Sequence, residues 1–224
     1  MINWTEILVS DNFYTDPFPH FRIYDVLPES DYEALRKTYD ACHDLCAFGV
    51  TTPGDTHVPD VWQRFTTDNF DRSDIICEEL SRYFGQTDIP EWFVSSYALA
   101  KHEHPELAPG ELIRDWHIDG DGKFFNSIYY IGTESQGHIE IKNGITQSEK
   151  SYEFCGNSML IWPNRTELHN HFHQFRNSNT GIRRTLYMCW APKTPEQIQF
   201  ATCSVDKPMA QALRRVTDYQ GLTP

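Results

Sequence analysis

Signals for export, membrane insertion and cysteine cross-linking are missing from this sequence. The opening residues, Met1-Ile2-Asn3-Trp4-Thr5-Glu6, carry neither a basic segment nor a long apolar one, so no secretory leader is expected. No uncharged apolar run approaches the ~20 residues that a membrane-spanning helix requires. The cysteines (Cys42, Cys46, Cys77, Cys155, Cys189 and Cys203) are dispersed with no Cys-x-x-Cys pair, which argues against a zinc knuckle or a disulfide framework. Reduced thiols in a cytoplasmic protein are the expectation. Positive charge is scarce too: 19 Lys and Arg stand against 32 Asp and Glu, a formal charge of −13. A broad phosphate-binding face needs the opposite balance, so neither nucleic acid nor a membrane surface is expected as a partner. Gly-rich phosphate loops, Gly-x-Ser-x-Gly elbows and His-Glu-x-x-His helices are absent as well.

What the chain has in quantity is aromatic surface: 14 Phe, 6 Trp and 11 Tyr in 224 residues. That favours β-structure around a large packed interior and one domain spanning 1–224. Residues 1–91 read as a mostly helical support. Phe18–Leu27 alternates apolar and polar residues as a strand does. Ser30 and Glu33 have capping-box spacing, which predicts a helix to about Tyr39. A second helix is predicted over Asp71–Phe84, where Ile75, Ile76, Leu80, Tyr83 and Phe84 recur at helical spacing, with the turn-rich Thr51–Thr56 between the two. From Trp92 the pattern becomes β. Short extended segments follow at Trp92–Ala100, Glu111–Ile118, Phe124–Ile131, His138–Lys142, Ser158–Trp162 and Arg183–Trp190, separated by turn signals. This predicts a mainly β fold with supporting α-helices, a double-stranded β-helix (jelly roll, cupin-like) over 92–192. The stretch 193–224 is expected to close one end, with a short helix over Met209–Val216.

Chemistry concentrates in three places. His117-Ile118-Asp119 ends a predicted strand, and period-2 geometry puts the imidazole and the carboxylate on one face. His169 follows the apolar strand Asn157–Trp162. Arg183 and Thr185 then share one face of another strand. Two His and one carboxylate on one octahedral face suit a non-haem iron with open positions. A 2-oxo acid chelating that iron has a second, buried carboxylate, which requires a fixed planar cation. Arg183 is suited to be that cation, with Thr185 adding a hydroxyl.

The pattern His117-x-Asp119 … His169 … Arg183-x-Thr185 resembles the signature of the 2-oxoglutarate/Fe(II)-dependent oxygenases, in particular the prolyl hydroxylase-like branch. The run Asn126-Ser127-Ile128-Tyr129-Tyr130-Ile131 is similar to the strand after that branch's metal strand. His138 departs from the second glycine of the family's next strand. The resemblance covers about 92–192. It implies that His117, Asp119 and His169 hold Fe(II), and that Arg183, Thr185 and Tyr129 hold 2-oxoglutarate. It also implies that O2 is consumed while a C–H bond of a small molecule or a peptide side chain is hydroxylated, with release of succinate and CO2.

Some alternatives stay open at the level of sequence. His171 and His173 alternate with His169, and His171 is the second choice as distal ligand. Arg184 competes with Arg183, on the opposite strand face. A cupin-like metal site built on His169-x-His171 without 2-oxoglutarate, and an inactive jelly-roll binding module, are the rival functions. His102, Glu103, His104 and Glu106 read as a surface loop, and Arg114 as one half of an ion pair.

Overall fold

Every second residue of Phe125-Asn126-Ser127-Ile128-Tyr129-Tyr130 turns to the same side, and both sides are buried. A strand of that kind belongs at the centre of a layered structure, covered on two faces. The computed structural model describes residues 1–45, 59–71, 73–84, 92–118, 125–132, 137–163, 171–177 and 182–192. The Thr51–Thr56 loop, Asp119, His169 and the Met209–Val216 helix lie outside the described residues.

Two antiparallel sheets are present. The larger contains β1 (Phe13–Tyr14), β2 (His20–Ile23), β3 (Trp92–Glu103), β5 (Phe125–Tyr130), β8 (Ser158–Pro163) and β10 (Ile182–Pro192), in the order β1-β2-β8-β5-β10-β3. The smaller contains β4 (Leu112–His117), β6 (His138–Asn143), β7 (Glu149–Glu153) and β9 (His171–Arg176), in the order β4-β9-β6-β7. Successive strands alternate between the sheets from β3 to β6, turn back through the β6–β7 hairpin, and alternate again from β8 to β10. That winding is a double-stranded β-helix, as expected from the sequence.

Two cores result. Between the sheets, Ile128 and Tyr130 of β5, Leu160 and Trp162 of β8, Ile139 and Ile141 of β6, and Phe175 of β9 pack with Phe18 and Phe154. On the outer side of the large sheet, Phe125, Tyr129, Met159, Ile161, Leu186, Met188 and Trp190 meet the helices. These are α1 (Trp4–Ile7), α2 (Glu29–Leu45), α3 (Asp60–Asp71) and α4 (Ser73–Phe84). Aromatic pairs lock this layer: Tyr39 edge-on to Trp62 (6.0 Å), Phe65 stacked with Tyr129 (6.4 Å) and Phe84 tilted against Phe125 (5.2 Å). Each such side chain contributes roughly 1.5–3 kcal/mol by leaving water.

Some elements differ from expectation. Helix α2 begins at Glu29, and the Pro28 carbonyl accepts from the Asp31 and Tyr32 amides. Ser30 is therefore inside the first turn, and Glu33 pairs with Arg36 (2.7 Å) instead of closing a capping box. Helix α3 was not anticipated. It carries the buried Trp62 and Phe65, but its remainder, Thr66-Thr67-Asp68-Asn69, has weak helix propensity, so packing rather than propensity holds it. Strand β7 also went unseen, because a charged edge strand with Tyr152 as its only apolar residue leaves little pattern. Among the described residues, no helix is long and apolar enough to cross a membrane.

Candidate active site

Strand β10 shows how the interior is furnished. Arg183, Thr185, Tyr187 and Cys189 share the face turned toward the small sheet, while Leu186, Met188 and Trp190 face the helices. Thr185 lies directly opposite Tyr130 of β5. The Arg183 guanidinium lies over the Phe175 ring at 4.3 Å and the Phe154 ring at 5.3 Å. Arg183 is buried, and its Nε and Nη1 have no hydrogen-bond partner among the described residues; nor has the Tyr130 hydroxyl. Burial pulls the Arg183 pKa down to about 10 and pushes that of Tyr130 well above its ordinary value. Even at 10, Arg183 is a cation at neutral pH. The two rings offset part of its lost hydration, yet each buried donor left unpaired costs about 1–3 kcal/mol. A planar cation and a phenol beside it, whose Nε, Nη1 and hydroxyl have no acceptor among the described residues, have the chemistry to bind a carboxylate.

Arg184, by contrast, faces outward and pairs with Asp40 of α2 at 3.2 Å. Between the two arginines, the inner position is Arg183.

Tyr129 requires a correction. It sits on the outer face of β5, opposite Leu186, and its hydroxyl donates to Asn157 Oδ1 at 3.0 Å. Asn157 in turn holds both the amide and the carbonyl of Leu27 (3.0 and 2.8 Å), so Tyr129 helps tie the start of α2 to the sheet. The pleat puts Tyr130, not Tyr129, beside Arg183. A one-residue shift in reading a strand exchanges its faces.

The histidines converge from the other sheet. His117 at the end of β4 pairs in register with His173 of β9, which pairs on its other side with Ile141 of β6. The His117 and His173 rings have centroids 4.1 Å apart. The Trp162 ring is 5.2 Å from His173. His117 Nδ1 is 2.7 Å from the Asp115 carbonyl. A carbonyl only accepts, so Nδ1 carries the proton and the neutral ring keeps its lone pair on Nε2. His171 also faces inward, stacked on Phe18 at 4.2 Å, with Nδ1 donating to the Pro163 carbonyl at 2.8 Å.

The structure therefore brings together His117, His173, Arg183, Thr185 and Tyr130 inside one barrel. His173, passed over for His169 in the sequence, is the histidine set against His117. The signal for it was present: His171-Phe172-His173-Gln174-Phe175 alternates with period 2, which reads as a strand with His171, His173 and Phe175 on one buried face. Among the described residues no three His, Cys, Asp or Glu side chains meet at metal-binding distances; Asp119 and His169 are not among them. His104 and Glu106 pair on the surface at 3.2 Å, and Arg114 is exposed.

No family model matches the sequence, and no curated protein sequence matches it significantly. Solved structures do match. A prolyl hydroxylase from Trichoplax adhaerens, in complex with a hypoxia inducible factor peptide fragment, superposes with a TM-score of 0.59 at 12% identity. The match covers 84% of this chain and 87% of that one. A dioxygenase for auxin oxidation from rice gives a TM-score of 0.56 at 13% identity, covering 90% and 86%. A member of the 2OG-Fe(II) oxygenase family from Burkholderia pseudomallei gives 0.50 at 11%, covering 84% and 88%. The fold is thus that of the 2-oxoglutarate/Fe(II) oxygenases, which bears out the resemblance read from the sequence at the level of architecture.

Proposed function

We propose that the chain is an Fe(II)- and 2-oxoglutarate-dependent dioxygenase that hydroxylates a C–H bond and releases succinate and CO2. The observation that carries this reading is the buried Arg183 cation, with no partner for Nε and Nη1 among the described residues, beside the Tyr130 hydroxyl, in the same barrel as the His117–His173 pair. The donor set fits the metal: two imidazoles, one with its lone pair fixed on Nε2, are what a two-histidine, one-carboxylate iron site takes from the protein. His117, Asp119 and His173 would hold the iron, with His173 in the role first given to His169. When bound, the iron supplies oxygen activation coupled to decarboxylation of the 2-oxo acid.

The protein's own residues supply the rest. Arg183 binds the 5-carboxylate of 2-oxoglutarate as a planar fork, and Tyr130 adds a hydrogen bond from a hydroxyl that burial keeps protonated. Thr185, opposite Tyr130, stands beside them. The Asp115 carbonyl orients His117. Trp162, Ile139, Ile141 and Phe175 surround the site with apolar walls that exclude water and strengthen each polar contact.

The substrate is a small molecule or a peptide side chain; among the similar structures one holds a peptide and one is named for auxin oxidation. The test is to supply purified protein with Fe(II), O2 and 2-oxoglutarate and to follow succinate. Succinate formation above a metal-free control supports the reading. Its absence, together with no measurable binding of 2-oxoglutarate, overturns it.

A further inference from the structure

Asn126 is another polar residue on the inner face of β5 with a group left unbonded. It is fully buried, and its Nδ2 has no hydrogen-bond partner among the described residues. Its Oδ1, in contrast, has two: the Tyr187 hydroxyl donates to it at 2.9 Å and the Cys189 thiol at 3.4 Å. Those contacts occupy the acceptor side of the amide and leave the NH2 group to face the rest of the barrel. Asn126 lies opposite Trp162 of β8, whose ring abuts His173. The amide is therefore at the histidine end of the chamber, and Tyr130 with Arg183 is at the other. On β5 the two positions are four residues apart, which at ~3.3 Å per residue separates their Cα atoms by about 13 Å. A five-carbon dicarboxylate with a hydrogen bond of about 3 Å at each end has a similar span.

We propose that Asn126 is a binding residue for the other end of the co-substrate: Nδ2 donates a hydrogen bond to the 1-carboxylate of 2-oxoglutarate while Arg183 and Tyr130 hold the 5-carboxylate. The inference rests on the functional reading above. Tyr187 and Cys189 act through Asn126 as positioning residues, because they fix which way the amide points.

The test is calorimetric titration of Mn(II)-loaded protein with 2-oxoglutarate and, in parallel, with pentanoate, which keeps one carboxylate on the same five-carbon chain. Asn126→Ala is expected to weaken 2-oxoglutarate by about tenfold or more and to leave pentanoate unchanged. Asn126→Asp, isosteric but with an acceptor where the donor stood, is expected to weaken 2-oxoglutarate further. Arg183→Ala is expected to weaken both ligands. Unchanged 2-oxoglutarate affinity in Asn126→Ala, or an equal loss for both ligands, would overturn the role of Asn126 and leave the functional reading standing. Failure of the unmutated protein to bind 2-oxoglutarate would overturn that reading and this inference together. Should Asn126→Ala fail to fold, the isosteric Asn126→Asp decides the matter alone.

Discussion

The two faces of strand β5 are both buried, yet they are built for different ends. The outer face presents Phe125, Tyr129 and, just beyond the strand, Ile131 to the helices, and the Tyr129 hydroxyl is spent on Asn157. The inner face presents Asn126, Ile128 and Tyr130, and both polar residues keep a group with no partner among the described residues. Across the sheet, Arg22 Nε and Arg183 Nε and Nη1 on the inner side have no partner among the described residues, and neither has Trp190 Nε1 on the helix side. Evolved cores seldom leave buried donors unmet. Among the described residues the inner face does so at Asn126, Tyr130 and Arg183, beside two histidines, whereas on the helix side the one such donor is Trp190 Nε1.

Substitutions should separate the two faces. The largest effect on turnover is expected from His117→Ala or His173→Ala, about a thousandfold loss of succinate formation, with the thermal midpoint little changed. Full activity in His173→Ala with loss in His169→Ala would return the distal ligand to His169. On the helix side, Trp62→Ala is expected to cost about 3–5 kcal/mol in urea unfolding. Arg183→Ala should raise the KM for 2-oxoglutarate about a hundredfold while leaving stability unchanged or higher, since it removes a buried cation whose Nε and Nη1 have no partner among the described residues. A stability loss as large as that of Trp62→Ala would make Arg183 structural.

Acid tests the rim of the interior. His20 is buried, its Nδ1 against the Phe18 carbonyl (2.7 Å) and its Nε2 against the Tyr152 hydroxyl (2.6 Å), and burial lowers its pKa from 6.5 to about 4. Below 6.5 the unfolded chain takes a proton that the folded chain refuses until about 4. Stability supplied by the neutral ring is thus complete above 6.5 and falls as pH drops through that window, by about 3 kcal/mol. Urea midpoints at the two ends of the window, compared with those of His20→Phe, measure it; equal slopes in both proteins would reject His20 as the cause. The smallest effects are the most discriminating. Tyr130→Phe should raise the KM for 2-oxoglutarate about tenfold with no loss of stability, and Tyr129→Phe should cost about 1 kcal/mol of stability with no change in KM.

Much of the architecture was legible because burial writes a period into a sequence. Strand β5, strand β8 and helix α4 have ends within about two residues of the sequence reading, the strands because they are short apolar runs between turn signals and the helix because its apolar residues repeat at 3.6. Helix α3 and strand β7 were not legible: polar composition hides elements that packing holds in place. His117, Arg183 and Thr185, read from the sequence as site residues, lie on the inner side of their strands: Arg183 and Thr185 are buried, and His117 is half-buried at the end of the irregular strand β4. Tyr129 was chosen one step away from Tyr130, and in a strand buried on both faces no hydrophobic alternation says which side is which. His173 needed a partner strand to become visible, because only the β4–β9 register sets it beside His117.

The central claim is that the barrel interior grips a dicarboxylate between a histidine-bound metal and the Arg183 guanidinium. An anaerobic crystal structure with Mn(II) and 2-oxoglutarate tests it most directly. The expected result is metal on His117, Asp119 and His173, with the far carboxylate against Arg183 and the Tyr130 hydroxyl. Metal held elsewhere, or a carboxylate bound away from Arg183, would contradict it.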